Sequence, residues 1–197
     1  GVVGNYSDAL KYYHLALKHN ELRNDIRGVA GSIHNIGILY QKINQYEKSL
    51  EYYERALKYW NELGNKGGLA STLNSIGAVK ELQKDYNTAL DYYQQALAIW
   101  EKNDNEYSTS IALNNIASIY EHLGNYEEGL NYITRAIYSR EKVGDKNGLA
   151  SSLLIRAELY DKLGKTDAAL SDGKRGLALA LESKSWSTIR EAHSILG

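Results

Sequence analysis

Leu10, Leu50, Leu90, Leu130 and Leu170 stand forty residues apart, and two further columns, Tyr6/Tyr46/Tyr86/Tyr126 and Ala16/Ala56/Ala96/Ala136, keep that interval. A third column, Gly37, Gly77, Ala117, Ala157 and Gly197, holds a small residue at every step. No insertion disturbs the register from one end to the other. A fixed period of this size marks a solenoid in which each unit packs only against its neighbours. Whatever one unit folds into, the chain repeats.

Within a unit the apolar spacing is helical. Ile33, Ile36, Gly37 and Tyr40 fall at i, i+3, i+4 and i+7, one stripe of a helix. Tyr46, Ser49, Leu50, Tyr53, Ala56 and Leu57 give a second stripe. Breaks separate them: Leu123-Gly124-Asn125-Tyr126 within a unit, and Gly64-Asn65, Asp104-Asn105 or Gly144-Asp145 between units. In each a helix-ending residue precedes a residue suited to cap the next helix. The pattern predicts antiparallel helix pairs, each helix of about seventeen residues and roughly 26 Å. The chain has no proline, where average usage of about 5 % would give roughly ten, as suits a chain that is helix almost throughout. Strand alternation is nowhere sustained. Small Gly37, Ser49 and Ala56 let two backbones approach, and bulky Tyr40, Leu50 and Tyr53 fill the space around them.

The order Gly37, Tyr40, Tyr46, Ser49, Tyr53, Ala56 resembles the tetratricopeptide repeat (TPR) in its small–aromatic–small rhythm. Two features depart from the common form. The period is forty rather than about thirty-four, and the proline that usually closes the second helix is absent, Asn61 and Asp104 lying in that region. The segment Gly144-Asp145-Lys146-Asn147-Gly148-Leu149-Ala150 is similar to linkers of the longer TPR variety. That variety occurs in kinesin light chains, spindle-orientation adaptors and bacterial peptide-sensing or signalling regulators. The resemblance implies an all-α, right-handed α-solenoid of antiparallel helix pairs, the TPR superhelix. It phases residues 1–197 as one array fragment: a partial repeat at 4–22, repeats at 26–63, 66–103, 106–143 and 146–183, and a partial repeat at 186–197. With no initiator Met before Gly1-Val2-Val3, the expectation is a parent protein continuing past both ends.

Several functions are disfavoured by composition. Lys plus Arg is 23 against Asp plus Glu at 24, a net charge of −1, which argues against a nucleic-acid partner. The longest apolar runs, Leu177 to Leu181 among them, are far below the ~20 residues of a membrane helix, so no membrane partner is expected. There is no cysteine and no secretory signal segment, so the sequon Asn5-Tyr6-Ser7 gives no reason to suppose secretion, and the expected location is cytoplasmic. His14, His19, His34, His122 and His193 include no pair three or four positions apart, so no metal or other cofactor is expected. Residues 64–72 superficially resemble a phosphate loop but lack its Lys before the Ser/Thr, and no G-x-S-x-G occurs. The reading is not an enzyme.

The remaining signal lies on the first helix of each pair, off the core stripe. There stand His34, Asn35, Ile38, Gln41 and Lys42; Asn74, Ser75, Ala78, Glu81 and Leu82; Asn114, Asn115, Ser118, Glu121 and His122; then Leu154, Ile155, Glu158, Asp161 and Lys162. The resemblance implies that this face lines a concave groove. The candidate peptide-binding residues are His34, Asn35, Gln41, Asn74, Glu81, Asn114, Asn115, Glu121, His122, Glu158 and Asp161. A primary amide both donates and accepts, so it matches the C=O and N–H of an extended visitor without reading its side chains. Gln41, Glu81, Glu121 and Asp161 form a column that turns acidic, favouring a basic or neutral segment. Basic residues that clamp a C-terminal carboxylate in chaperone-binding TPR domains are replaced by Gly31, Ser71 and Ile111.

The expected function is a non-catalytic protein-protein interaction module holding a peptide or protein segment. Alternatives are the sensory or regulatory arm of a larger signalling protein, or a scaffold that self-associates end to end. Trp60 and Trp100, four residues after column alanines, are expected in the packing face, and Tyr12, Tyr52, Tyr92 and Tyr132 half-covered beside it. Thr166, Asp172, Gly173 and Gly176 break the column rules, and Leu154 with Ile155 replaces the asparagines. The last repeat is therefore expected to be looser, with an apolar stretch of groove.

Overall fold

The computed structural model describes the backbone of residues 2–196 and the side chains of 6–190 and 192–194. Gly197 of the small column and Asn5 of the sequon lie outside the described side chains. Among the described residues ten helices follow one another: α1 (Val2–Leu22), α2 (Ile26–Lys42), α3 (Tyr46–Glu62), α4 (Lys66–Leu82), α5 (Tyr86–Lys102), α6 (Glu106–His122), α7 (Tyr126–Val143), α8 (Lys146–Lys162), α9 (Thr166–Glu182) and α10 (Trp186–Leu196). There is no strand among the described residues. The chain divides into two compact units, Gly1–Ile99 and Trp100–Gly197.

The turns obey a period of twenty, half the sequence repeat. Asn24, Asn44, Gly64, Lys84, Asp104, Gly124, Gly144, Gly164 and Lys184 all adopt positive φ. The following N–H reaches the carbonyl five residues back, as in Asp25 to Asn20 and Asp85 to Lys80, both 2.9 Å. This closure satisfies carbonyls that a helix end leaves open. Sequence reading named the turns at Gly64, Asp104, Gly124 and Gly144 but not those at Asn24, Asn44, Lys84 and Lys184, because the left-handed conformation there is imposed by helices on both sides. The residue after each turn then starts the next helix. Between pairs it is a true cap: Asp25, Asn65 and Asp145 accept from Gly28, Gly68 and Gly148 N–H at 2.9 Å, and Asn105 from Ser108 at 3.1 Å. Within pairs, Gln45, Asn125 and Lys165 make no such bond.

In the first unit the core is an aromatic wedge on a glycine. Tyr53 is fully buried, and a Cβ at Gly37 would lie 2.7 Å from its ring; Gly77 and Tyr93 repeat the arrangement at 2.7 Å. Ser49 Oγ donates to the Gly37 carbonyl at 2.9 Å, tying α3 to α2 at the closest approach. Trp60 lies flat on Gly68, where an added Cβ would overlap the ring, and Trp60 and Trp100 are both buried. They are packing residues, as expected.

The second unit fills the same register differently. Ala117 with Ile133 takes the place of Gly with Tyr, and both are fully buried. Further along, Gly173 stands where Tyr53 and Tyr93 stood. Arg156, in the column of Ile36, Ile76 and Ile116, reaches Asp172 by two bonds, Nε at 2.6 Å and Nη2 at 3.0 Å. Their side chains are 17 % and 10 % exposed, so an ion pair occupies this part of the core. Leu154 is a correction: it is fully buried, its Cδ2 2.9 Å from where a Cβ on Gly176 would sit. It fills the space over a glycine instead of making a groove apolar.

Candidate functional site

In the first unit, α2 and α4 carry the candidate polar residues. His34 Nδ1 lies 2.9 Å from Thr72 Oγ1, and Thr72 itself donates to the Gly68 carbonyl at 2.9 Å. Thr72 has spent its only proton, so it accepts, and His34 is the neutral tautomer with the proton on Nδ1. Burial lowers its pKa from 6.5 to about 4, and its ring centre lies 5.3 Å from that of Tyr53. Asn35 and Asn74 are half-buried. Gln41 accepts from Tyr53 Oη at 2.9 Å, and Glu81 from Tyr93 Oη at 2.7 Å. Burial pushes the Tyr53 hydroxyl up to about 12; for Tyr93 burial acts first and the Glu81 charge adds to it. The start of the predicted acidic column is thus anchored to the core tyrosines.

In the second unit, α6 and α8 carry the rest. Asn114 Oδ1 accepts from Ser152 Oγ at 2.7 Å, which leaves its NH2 to donate elsewhere. Asn115, Glu121 and Glu158 are half-buried, while His122 and Asp161 are exposed. Burial raises the Glu121 pKa, with His122 and Lys162 pulling against it. Glu121, Glu158 and Asp161 converge on a cavity of about 410 Å³, shared with Lys162, Thr166 and Leu170. The structure therefore brings three of the predicted acids of this unit together.

Sequence reading missed the bonds that cross between pairs. His34 to Thr72 and Asn114 to Ser152 are both steps of 38 residues. A signal for them existed. Both partners are polar in these two steps, whereas the residues 38 positions after Asn74 and Leu154 are Ala112 and Ala192. A column was read singly where a pair of columns held the information.

Paired helices repeating in phase, with polar side chains on a face that intra-pair packing does not consume, define an all-α helical-repeat binding module of the α-solenoid class. The tetratricopeptide repeat profile matches residues 28–102 and 108–182, and the chain belongs to the tetratricopeptide repeat family, whose members are protein-interaction modules. No curated protein sequence matches the chain significantly. Solved structures do match in fold. BtubC (BKLC) from P. vanneervenii superposes with a TM-score of 0.81 at 20 % identity, over 93 % of this chain and 76 % of that one. Aspartyl phosphate phosphatase F from Bacillus subtilis gives 0.87 at 20 % identity, over 95 % and 49 %. A Rap protein complexed with competence and sporulation factor gives 0.76 at 21 % identity, over 96 % and 55 %. This chain spans about half the length of the last two. Among the described residues, no helix is long and apolar enough to cross a membrane.

Proposed function

We propose that the chain holds an extended segment of a partner protein against the exposed faces of its first helices, without catalysing a reaction, and that the segment carries basic side chains. In this reading the working units are the helix pairs at 26–63, 66–103, 106–143 and 146–183. The observation that carries it is the cavity of about 410 Å³ formed by Glu121, Glu158 and Asp161. Glu121 is half-buried, and burial raises its pKa against the pull of His122 and Lys162, so a visiting cation has most to gain at that carboxylate. Asn115 on the same helix as Glu121, and Asn35 and Asn74 in the other unit, supply the amide chemistry that an extended backbone needs.

A peptide library displayed on phage and selected against the chain tests this. Enriched sequences should carry Lys or Arg, and the E121Q/E158Q/D161N triple variant should lose at least tenfold in affinity while keeping its unfolding midpoint. Unselective enrichment, or unchanged affinity in the triple variant, overturns the reading. A regulatory arm is a second reading, favoured by the likeness to the Rap protein in complex with competence and sporulation factor and to aspartyl phosphate phosphatase F. A parent protein containing nothing but repeats would dispose of it.

A further inference from the structure

The column that holds Trp60 and Trp100 continues at Arg140. Its guanidinium lies on Gly148 as Trp60 lies on Gly68: a Cβ on either glycine would overlap the side chain above it. An indole in that place needs at most one hydrogen bond, whereas a guanidinium has five donors to satisfy. The Arg140 side chain is only 8 % exposed, and its ion pair with Asp145 Oδ2 spans 3.3 Å, long against the ~2.7–2.9 Å of a charge-assisted bond. Asp145 is divided, since its other oxygen accepts from Gly148 N–H. Arg140 Nε is fully buried and has no hydrogen-bond partner among the described residues. Burial pulls the pKa of the group below its ordinary value, with Asp145 and Tyr107 opposing. A buried cation with so little compensation is expensive.

Next to it opens a cavity of about 380 Å³, whose wall includes Arg140, Asp145 and Ile111 with hydroxyl residues such as Tyr107, Ser151 and Ser187. Helices α8 and α10 both begin at its edge, at Asp145 and Ser185. Each helix start contributes roughly half a positive charge. Together they offset Asp145, so that with Arg140 the site holds about one net positive charge. That balance suits a monoanion, and the planar guanidinium fork suits two coplanar oxygens.

We propose that this cavity is a carboxylate site, taking an Asp or Glu side chain of the segment held along α6 and α8. Ile111 and Ser151, of the column that begins at Gly31 and Ser71, form part of its wall, but its cation, Arg140, comes from a second helix rather than a first. It rests on the groove reading only for where the carboxylate comes from; the binding chemistry is tested with acetate alone. The segment would then present a basic residue to Glu121 and Glu158 near the ends of the first helices, and an acidic one to Arg140 near their starts. Alternating charge would fix its direction.

Thermal unfolding in sodium acetate, against sodium chloride at equal ionic strength and pH 7, reads the site by linkage. The expected result is a midpoint rising with the logarithm of acetate concentration, and no such rise in Arg140→Gln. Should Arg140→Gln fold poorly, Ser187→Glu decides: a carboxylate tethered in the cavity should raise the midpoint in chloride and abolish the acetate response. Equal midpoints in acetate and chloride for the wild type, or an undiminished acetate response in Ser187→Glu, overturn the proposal. So does inorganic phosphate acting at tenfold lower concentration than acetate, which would make the site a phosphoryl site. A failed acetate response alongside intact selection of basic peptides leaves the groove reading standing, so the two fail separately.

Discussion

The α2–α3 pair and the α8–α9 pair share a register but not a filling. In the first, Tyr53 wedges against Gly37 and sends its hydroxyl to Gln41. In the second, the tyrosine position is Gly173, the glycine position is Ala157, and the space is taken by the Arg156–Asp172 pair from the neighbouring columns. The lesson is that substitutions at this contact come as sets. The turns fix how far apart two helices lie, and any set of side chains with the right summed volume satisfies them. The two sets differ in kind, however. The wedge depends on apolar burial; the ion pair depends on each charge keeping its partner.

Removing one partner of the pair should therefore have the largest effect. Asp172→Ala leaves Arg156 charged and enclosed, and is expected to cost about 3–5 kcal/mol in urea unfolding. Replacing both, as in Arg156→Met with Asp172→Leu, should be neutral or stabilising by roughly 1–4 kcal/mol. A cost below about 1 kcal/mol for Asp172→Ala, the value of a surface pair, would mean that water reaches the site and that the two fillings are not equivalent.

The comparison extends to the cross-pair bonds and predicts a pH difference. His34 in the first unit has a folded pKa of about 4, lowered by burial from 6.5. The unfolded chain therefore takes the proton first as pH falls. Stability is fully present above about 6.5 and is lost between there and about 4, by up to roughly 3 kcal/mol at 1.36 kcal/mol per unit. Asn114, which makes the equivalent bond in the second unit, does not titrate. Glu121 there acts oppositely, because burial raises its pKa and protonation then favours the folded form. Amide exchange at pH 7 and 5 should show protection falling in α2 and α4 but not in α6, and His34→Asn should remove the fall. Equal losses in both units would contradict the assignment.

These contrasts show why some of the structure was legible in the sequence and some was not. Helix class, helix length and the buried tryptophans followed from the forty-residue columns, since each needs only one residue's relation to its own helix. Candidate polar positions were legible in the same way. What those side chains touch was not: His34 and Thr72 meet through the stacking of pairs, and no single helix encodes that offset. Arg156 and Asp172 were invisible for a related reason. Each breaks a column rule alone, and only the pair restores it. Arg140 on Gly148 was hidden by reading the tryptophan column as aromatic, when the constraint is the glycine beneath it.

A smaller effect sharpens the idea of sets. Gly37→Ala places a methyl 2.7 Å from the Tyr53 ring, and overpacking of this kind should cost about 1–3 kcal/mol. The second unit supplies the remedy, Ala117 with Ile133. Gly37→Ala combined with Tyr53→Ile is thus expected to cost less than the sum of the two single changes by at least about 1 kcal/mol, a coupling a double-mutant cycle measures directly. Additive costs would show that each column is read independently.

The smallest effect concerns the turns, where the units again differ. Gly124, Gly144 and Gly164 serve three turns of the second unit, whereas Lys84 serves one of the first at φ 62°. A side chain in the left-handed region costs roughly 1–2 kcal/mol, while glycine adds chain entropy to the unfolded state worth about 0.5–1 kcal/mol. The difference favours glycine. Lys84 is exposed, and its turn bonds are made by backbone alone, Lys84 N–H to Glu81 at 2.8 Å and Asp85 N–H to Lys80 at 2.9 Å. Lys84→Gly keeps both, so it should raise stability by about 0.5–1 kcal/mol, and Gly124→Lys should lower it by a similar amount. Chemical denaturation of the two variants gives both numbers. If Lys84→Gly proves destabilising, the lysine side chain contributes more to the folded state than its exposure allows, and the twenty-residue turn register would owe its left-handed residues to side chains after all.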